Sequence, residues 1–346
     1  MTHDTNANEK IPVLELTVES LQAALAERGQ AGFRTAQVAD WVFKKSQTDP
    51  ARMTNLPPAL REMLSVTDVT VARRIDSEDG VTKLLLSLGD DQHIECVLIP
   101  TSDRATACLS TQVGCGMGCV FCASGLGGLK RNLTSGEILA QILLLQQACE
   151  RRVTNVVFMG IGEPLANYDA TLAAVRAIID PERLGVSARN VTISTVGIPR
   201  AIRRLANEDL PITLAISLHA PNDTLRRQLM PAAERFTIAE LLDAARAFYD
   251  ARHREITLEY LLIGGINDTP VCADALAGLA HQLRCNVNLI RYNPVEGLPY
   301  TKPNQLAVQN FAQRLKKRGV NATTRRSRGL DAAAACGQLR HTEESQ

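Results

Sequence analysis

The chain has 346 residues, 45% of them hydrophobic and 22% charged, which suffices for one large core or two smaller ones and excludes a disordered or fibrous protein. Lys and Arg total 38 against 37 Asp and Glu, so no global field draws the molecule onto nucleic acid or an anionic membrane, and any nucleic-acid surface must be local. Nine cysteines, an odd number in a chain too large to need staples, argue against a disulfide framework and for a reducing, cytoplasmic compartment.

Residues 1–10 are polar and read as a disordered tail. They hold no apolar leader segment, and the greasiest later stretch, Ile138 to Ala148, is broken by three glutamines, so neither secretion nor membrane insertion is expected. Residues 11–68 read as a helical accessory domain with helices over Val18–Arg28, Thr35–Lys45 and Pro57–Leu64. Residues 69–104 switch to alternation, and Lys83–Leu88 and His93–Leu98 around a Gly89-Asp90-Asp91 turn predict a linking β-hairpin.

From 105 to 330 short β-rich runs alternate with helical stretches. Strands are predicted at Thr106–Ser110, Val153–Met159, Asn190–Thr195, Ile212–Leu218, Glu255–Ile263 and Asn286–Tyr292. Thr134-x-x-Glu137 and Thr237-x-x-Glu240 have the form of capping boxes, in which hydroxyl and carboxylate each satisfy an orphan helix donor. Six parallel units define an α/β fold, a partial (βα)6 barrel with its active face at the C-terminal strand ends. Residues 331–346 remain as a C-terminal tail.

Four strand ends finish in Gly-, Pro- or small-polar-rich runs: Gly160 to Pro164, Ser194 to Gly197, Ser217 to Ala220 and Tyr292 to Pro294. One such run is commonly a tight turn; four on one barrel face point to a ligand site where backbone approaches the ligand closely. Directly after the first strand comes a C-x3-C-x2-C run, Cys115, Cys119 and Cys122, set among Gly114, Gly116 and Gly118. Thiolates favour zinc or iron–sulfur clusters. A zinc knuckle with Cys108 as fourth ligand stays open on spacing alone. Three thiolates on a four-iron cluster leave one iron free for a substrate.

This run, in that place, resembles the signature of the radical SAM superfamily, and Gly160 to Pro164 resembles its glycine–glutamate–proline motif. More narrowly, the chain resembles the RlmN/Cfr family of radical SAM RNA adenosine methyltransferases over nearly its whole length. The stretches that carry this are Cys108 to Cys115, Gly127 to Leu133, Ser217 to Ala220, Arg291 to Pro294 and Arg328 to Leu339, together with the helical N-terminal module. The text from Leu126 to Leu133 is closer to the RlmN branch than to the Cfr branch.

The resemblance implies one 4Fe-4S cluster on Cys115, Cys119 and Cys122, with S-adenosyl-L-methionine lined by Gly162, Glu163, Ser194, Ser217, Leu218, His219 and Asn293. It implies that Cys336 is S-methylated by one S-adenosylmethionine and that a second is cleaved to a 5′-deoxyadenosyl radical, which abstracts hydrogen from that methyl group. The carbon radical adds to an electrophilic adenine carbon. Cys108 then releases the base by forming a transient disulfide with Cys336, and Glu95 accepts the ring proton; read from the residues alone, Glu95 is equally a solvated strand carboxylate. The implied substrates are carbon 2 of an adenosine in the peptidyl transferase centre of 23S rRNA and of one beside the anticodon in tRNA. The implied partner is a flavodoxin- or ferredoxin-type electron donor, and the implied enzyme is a monomer.

Basic clusters at Lys130-Arg131, Arg200 with Arg203-Arg204, Arg226-Arg227 and, above all, Arg314, Lys316, Lys317, Arg318, Arg325, Arg326 and Arg328 are candidate phosphate contacts; from Arg314 to Leu330 no acidic residue intervenes. Three other readings stay open at this point: Cfr-like methylation of carbon 8, another radical SAM reaction with no use for Cys108 and Cys336, and a zinc-stabilised RNA-binding protein.

Overall fold

The computed structural model describes residues 10–340; the outer parts of the predicted tails, residues 1–9 and 341–346, lie outside the described residues. The chain begins with β1 (Ile11–Pro12), then α1 (Val18–Glu27), α2 (Phe33–Ala39), α3 (Pro58–Met63) and β2 (Leu64–Ser65), with β1 and β2 paired in parallel. Thr17 caps α1, its hydroxyl accepting from Ser20 N–H at 3.1 Å. α2 continues as a π-helical turn over Asp40–Lys44, so the predicted second helix is present but changes pitch. Proline opens α3, where its missing N–H removes no helical bond.

Three antiparallel strands follow, β3 (Thr70–Asp76), β4 (Thr82–Ser87) and β5 (His93–Pro100), and β5 pairs antiparallel with β6 (Ala105–Cys108). The expected hairpin is the β4–β5 pair; β3 extends it to a meander, which is continuous with the barrel sheet. A separate ribbon, β7 (Gln112–Gly114) with β8 (Leu129–Asn132), brackets the three-cysteine loop.

The barrel strands are β6, β9 (Asn155–Phe158), β10 (Val191–Thr195), β11 (Thr213–Ser217), β12 (Ile256–Leu262), β13 (Cys285–Arg291) and β14 (Ala322–Arg325), each parallel to its neighbour. All six predicted strands are there, and β14 is a seventh. The helices between them are α4 (Ser135–Gln147), α5 (Tyr168–Ile179), α6 (Pro199–Ala206), α7 (Asp223–Leu229), α8 (Ile238–Arg252), α9 (Pro270–Ala280) and α10 (Gln305–Lys317). Both predicted capping boxes form, at Thr134 and Thr237.

Strand alternation decides what reaches the site. In β12, Ile256, Leu258, Tyr260 and Leu262 are fully buried in the main core, each such side chain contributing roughly 1.5–3 kcal/mol. The intervening Glu259 and Leu261 face the barrel pocket instead. The N-terminal module shares that main core through Ile11, Leu14, Leu21 and Leu60. It is also fastened to α4, where Glu15 accepts from Ser135 Oγ at 2.6 Å and Gly136 N–H at 3.0 Å.

Candidate active site

The three-cysteine loop is held open by its ribbon. Gly114 has φ +72°, and a Cβ there would lie 1.9 Å from the Gly128 carbonyl oxygen, so only glycine permits this closure. Cys115 N–H donates to the same oxygen at 2.9 Å. Cys115, Cys119 and Cys122 all line one open pocket at the C-terminal strand ends. Burial pushes all three thiols upward, Cys115 to about 11, and the charges of Cys122 and Cys115 push Cys119 further. Such thiols become thiolates only beside a strong cation.

The strand-end runs converge on this pocket as expected. Gly162, Glu163, Ser194, Ser217 and His219 line it, with Gly160, Val196, Glu259 and Tyr292 beside them. The glycines have a different cause from the expected one: a Cβ on Gly162 would lie 2.6 Å from Gln112 Cβ, and one on Gly160 2.6 Å from Ser110 Oγ. They let two chain segments pack, and the ligand cradle is a consequence. Glu163 uses both oxygens locally, accepting from Leu165 N–H at 2.9 Å and Val196 N–H at 2.8 Å. Burial raises its pKa against those bonds. His219 sits at φ +56°, and its Nδ1 accepts from Leu261 N–H at 3.1 Å, which leaves Nε2–H as the free donor. Burial first, then Arg226, lowers its pKa to about 3, so the ring is neutral. Leu218 is fully buried, belongs to the main core and is not among the residues that line the pocket.

The C-terminal segment closes the pocket. Gly337 O accepts from Ala123 N–H at 2.8 Å, and Leu339 O from Ser124 Oγ at 2.8 Å, docking the tail on the cysteine loop. Cys336 thereby lines the same pocket as the three cysteines. It is exposed because it faces that open space, yet the protein around its thiol raises the pKa to about 11, with Arg325 opposing. Cys108, at the end of β6, packs with Ala332 and Ala334 of the tail. Burial raises its thiol to about 12, and the charge of Cys336 acts in the same direction. The topology therefore brings Cys108 beside the segment that carries Cys336.

Glu95 is placed apart from the cysteine-lined pocket. It is buried in β5, Oε1 paired with Lys83 Nζ at 2.8 Å and Oε2 accepting from Arg340 N–H at 2.9 Å. The picture of a solvated strand carboxylate is wrong for this residue: β4–β5 pairing and the tail enclose it.

Part of the basic clusters is paired with acidic side chains, most of them on other elements. Arg131 pairs with Asp90 and Glu137, Arg203 with Asp243, Arg204 with Asp169, Arg314 and Arg318 with Asp274, and Arg328 with Asp79. Arg226 is buried and offers nothing to solvent. Arg325 and Arg326 line a cavity with Arg104, Arg189 and the Asp79-paired Arg328, and Lys130, Arg200, Arg227, Lys316 and Lys317 are exposed, so these stay candidates for phosphate contact.

The donor chemistry fits an iron–sulfur cluster with S-adenosylmethionine. Among the described residues no three His, Cys, Asp or Glu side chains close around a single metal ion. Asn293, just past β13, keeps a buried Oδ1 without a partner, an acceptor with unused capacity; it lines a neighbouring cavity with Arg325 and Cys336 and is not among the residues of the cysteine-lined pocket. A seven-strand partial barrel with three thiols in the loop after its first strand defines a radical SAM enzyme.

Comparison with known proteins agrees. The Radical SAM superfamily model matches residues 109–275, and the model described as "Ribosomal RNA large subunit methyltransferase N-terminal domain" matches residues 11–69. A protein of Thermosynechococcus vestitus described as "Probable dual-specificity RNA methyltransferase RlmN" is 44% identical over 96% of this chain and 98% of its own. One of Thermus thermophilus with the same description is 45% identical over 95% and 92%. The crystal structure of a radical SAM methyltransferase from Sphaerobacter thermophilus superposes with a TM-score of 0.92 at 43% identity, covering 95% of this chain and 99% of that one. The chain belongs to the RlmN family of radical SAM methyltransferases, whose cofactors are a 4Fe-4S cluster and S-adenosylmethionine. No helix among the described residues is long and apolar enough to cross a membrane.

Proposed function

We propose that this protein methylates carbon 2 of an adenosine in 23S ribosomal RNA and in transfer RNA, using Cys336 as the methyl carrier and Cys108 as the releasing thiol. The observation that carries the reading is the position of Cys336, on a docked tail, in the pocket that the three loop cysteines line. The relatives' description as dual-specificity RNA methyltransferases supports the substrate class.

Cys115, Cys119 and Cys122 would hold the cluster, and Gly162, Glu163, Ser194, Ser217, Leu218 (through its backbone), His219 and Asn293 would hold S-adenosylmethionine. When bound, these groups supply both a transferable methyl and, with one electron from a flavodoxin- or ferredoxin-type donor in the cytoplasm, a carbon radical. The protein's own part is placement and thiol chemistry. Cys336 loses its proton on accepting a methyl group, and the carbon of that methyl group becomes the new bond to the base. Carbon 2 of adenine is electrophilic, so radical addition succeeds where ordinary methyl donation, which needs a nucleophile, does not. Once the base radical has given up one electron, the Cys108 thiolate would attack the Cys336 sulfur: the sulfur–carbon bond breaks, its electron pair goes to the methylene carbon, which takes up a proton and stays on the base as methyl, and a Cys108–Cys336 disulfide remains for an external thiol to reduce. Glu95 would take the ring proton once released from Lys83. The target base must be unpaired or flipped to reach Cys336.

Nucleoside mass spectrometry on separately digested ribosomal and transfer RNA tests this, using cells that lack the gene and are complemented with wild type or Cys336→Ala. Wild type restores 2-methyladenosine in both RNA classes and Cys336→Ala in neither. Restoration of 8-methyladenosine, or of no methylated adenosine, overturns the assignment.

A further inference from the structure

Arg226 is 1% exposed, and every acceptor its side chain meets is neutral. Nε donates to Leu218 O at 3.3 Å, and Nη2 to Val196 O and, at 3.5 Å, to Ser217 O. Nη1 is buried with no acceptor. Asp223, one turn earlier in α7, turns its Oδ1 to Ile238 N–H at 2.8 Å. A guanidinium sealed away from water without a paired anion is strongly destabilising, so its retention calls for an anionic partner elsewhere in the site.

The cysteine loop packs against the same helix. Val120 N–H donates to Leu229 O at the end of α7, at 3.1 Å, and Cys119 and Val120 pack with Leu225, Leu229 and Met230. A thiolate at Cys119 would act on Arg226 ahead of Asp223. The guanidinium thus stands behind the wall that carries Cys119 and His219, on the protein side of the pocket.

We propose that Arg226 is a positioning residue whose buried positive charge balances the cysteine-held centre and raises its one-electron reduction potential. The proposal rests on the assignment of Cys115, Cys119 and Cys122 as ligands. Reduction by a low-potential flavodoxin- or ferredoxin-type donor adds one electron and changes no bond, so the centre gains one negative charge. A fixed cation a short distance away in a poorly screened interior favours that more negative state.

Spectroelectrochemical titration of the reconstituted protein tests it, with iron and sulfide counted beforehand. Arg226→Met keeps the length and removes the charge; its equilibrium constant for reduction should fall at least tenfold, 59 mV for one electron. Arg226→Lys should stay near wild type, as should Arg227→Met, which alters the exposed neighbour. An unchanged potential in Arg226→Met overturns the proposal. Should Arg226→Met lose iron while Arg226→Lys keeps it, the need for charge is confirmed; loss in both variants, with the fold intact by circular dichroism, shows that shape matters and charge does not. Failure of the wild type itself to bind four irons and sulfide would instead remove the ligand assignment beneath it.

Discussion

The side-chain amide of Asn293 donates to the backbone carbonyl of Cys336 at 3.2 Å, so a side chain just past β13 sets the height of the C-terminal segment over the barrel. The same side chain keeps its Oδ1 buried and unpartnered. Asn293→Ala should loosen residues 335–338 while leaving the barrel intact. Loss of one such bond, about 1 kcal/mol, corresponds to roughly fivefold faster local opening, readable by hydrogen exchange at those amides.

Lys83 and Glu95 form an ion pair whose side chains are 8% and 10% exposed. Removing one partner leaves a buried charge alone, which typically costs about 3–5 kcal/mol. Lys83→Met should therefore destabilise the protein by that amount in urea unfolding, and Lys83→Met/Glu95→Gln should recover most of it. The exposed Arg246–Asp243 pair offers the contrast: its removal should change stability by under about 1 kcal/mol.

His219 gives the pH dependence a definite sign. Its folded pKa is lowered from 6.5 to about 3, so below pH 6.5 the unfolded chain takes up a proton that the folded one does not. Stability contributed by this residue is present above pH 6.5 and is lost as the pH falls towards 3. From pH 7 to pH 5 the loss is about 2 kcal/mol, and His219→Gln should flatten the profile by that much in denaturant titrations.

Much of this was legible in the sequence because the chain is locally consistent. The β-branched runs of β9, β10 and β11 and the two Thr-x-x-Glu caps announce themselves, and the cysteine spacing announces the loop. β14 was not legible, because Ala322-Thr323-Thr324-Arg325 is short, partly exposed and embedded in a basic run that reads as surface. Arg226 was read with Arg227 as a surface cluster; only the tertiary packing of α7 against the cysteine loop buries it. The enclosure of Glu95 was hidden as well, since it depends on the β4–β5 register and on a tail more than two hundred residues away. The neutralisation of Arg314 and Arg318 by Asp274 likewise comes from α9, a different element.

The two thiols should differ in reactivity despite similar chemistry. Cys336 faces the pocket and has a pKa of about 11, whereas Cys108 is buried with one of about 12. Iodoacetamide should label Cys336 well before Cys108 in the unloaded protein. The rate should rise close to tenfold per pH unit through neutral pH, because only the thiolate reacts. Peptide mass spectrometry after timed labelling reads both sites.

The proposed release of the base from Cys336 by Cys108 is tested most directly by the mass of Cys108→Ala purified from cells that supply RNA. The expected result is RNA held covalently on Cys336 and resistant to denaturant, with none on Cys108→Ala/Cys336→Ala. A Cys108→Ala protein that carries no RNA and still produces 2-methyladenosine at the wild-type rate would contradict the pairing of these two thiols.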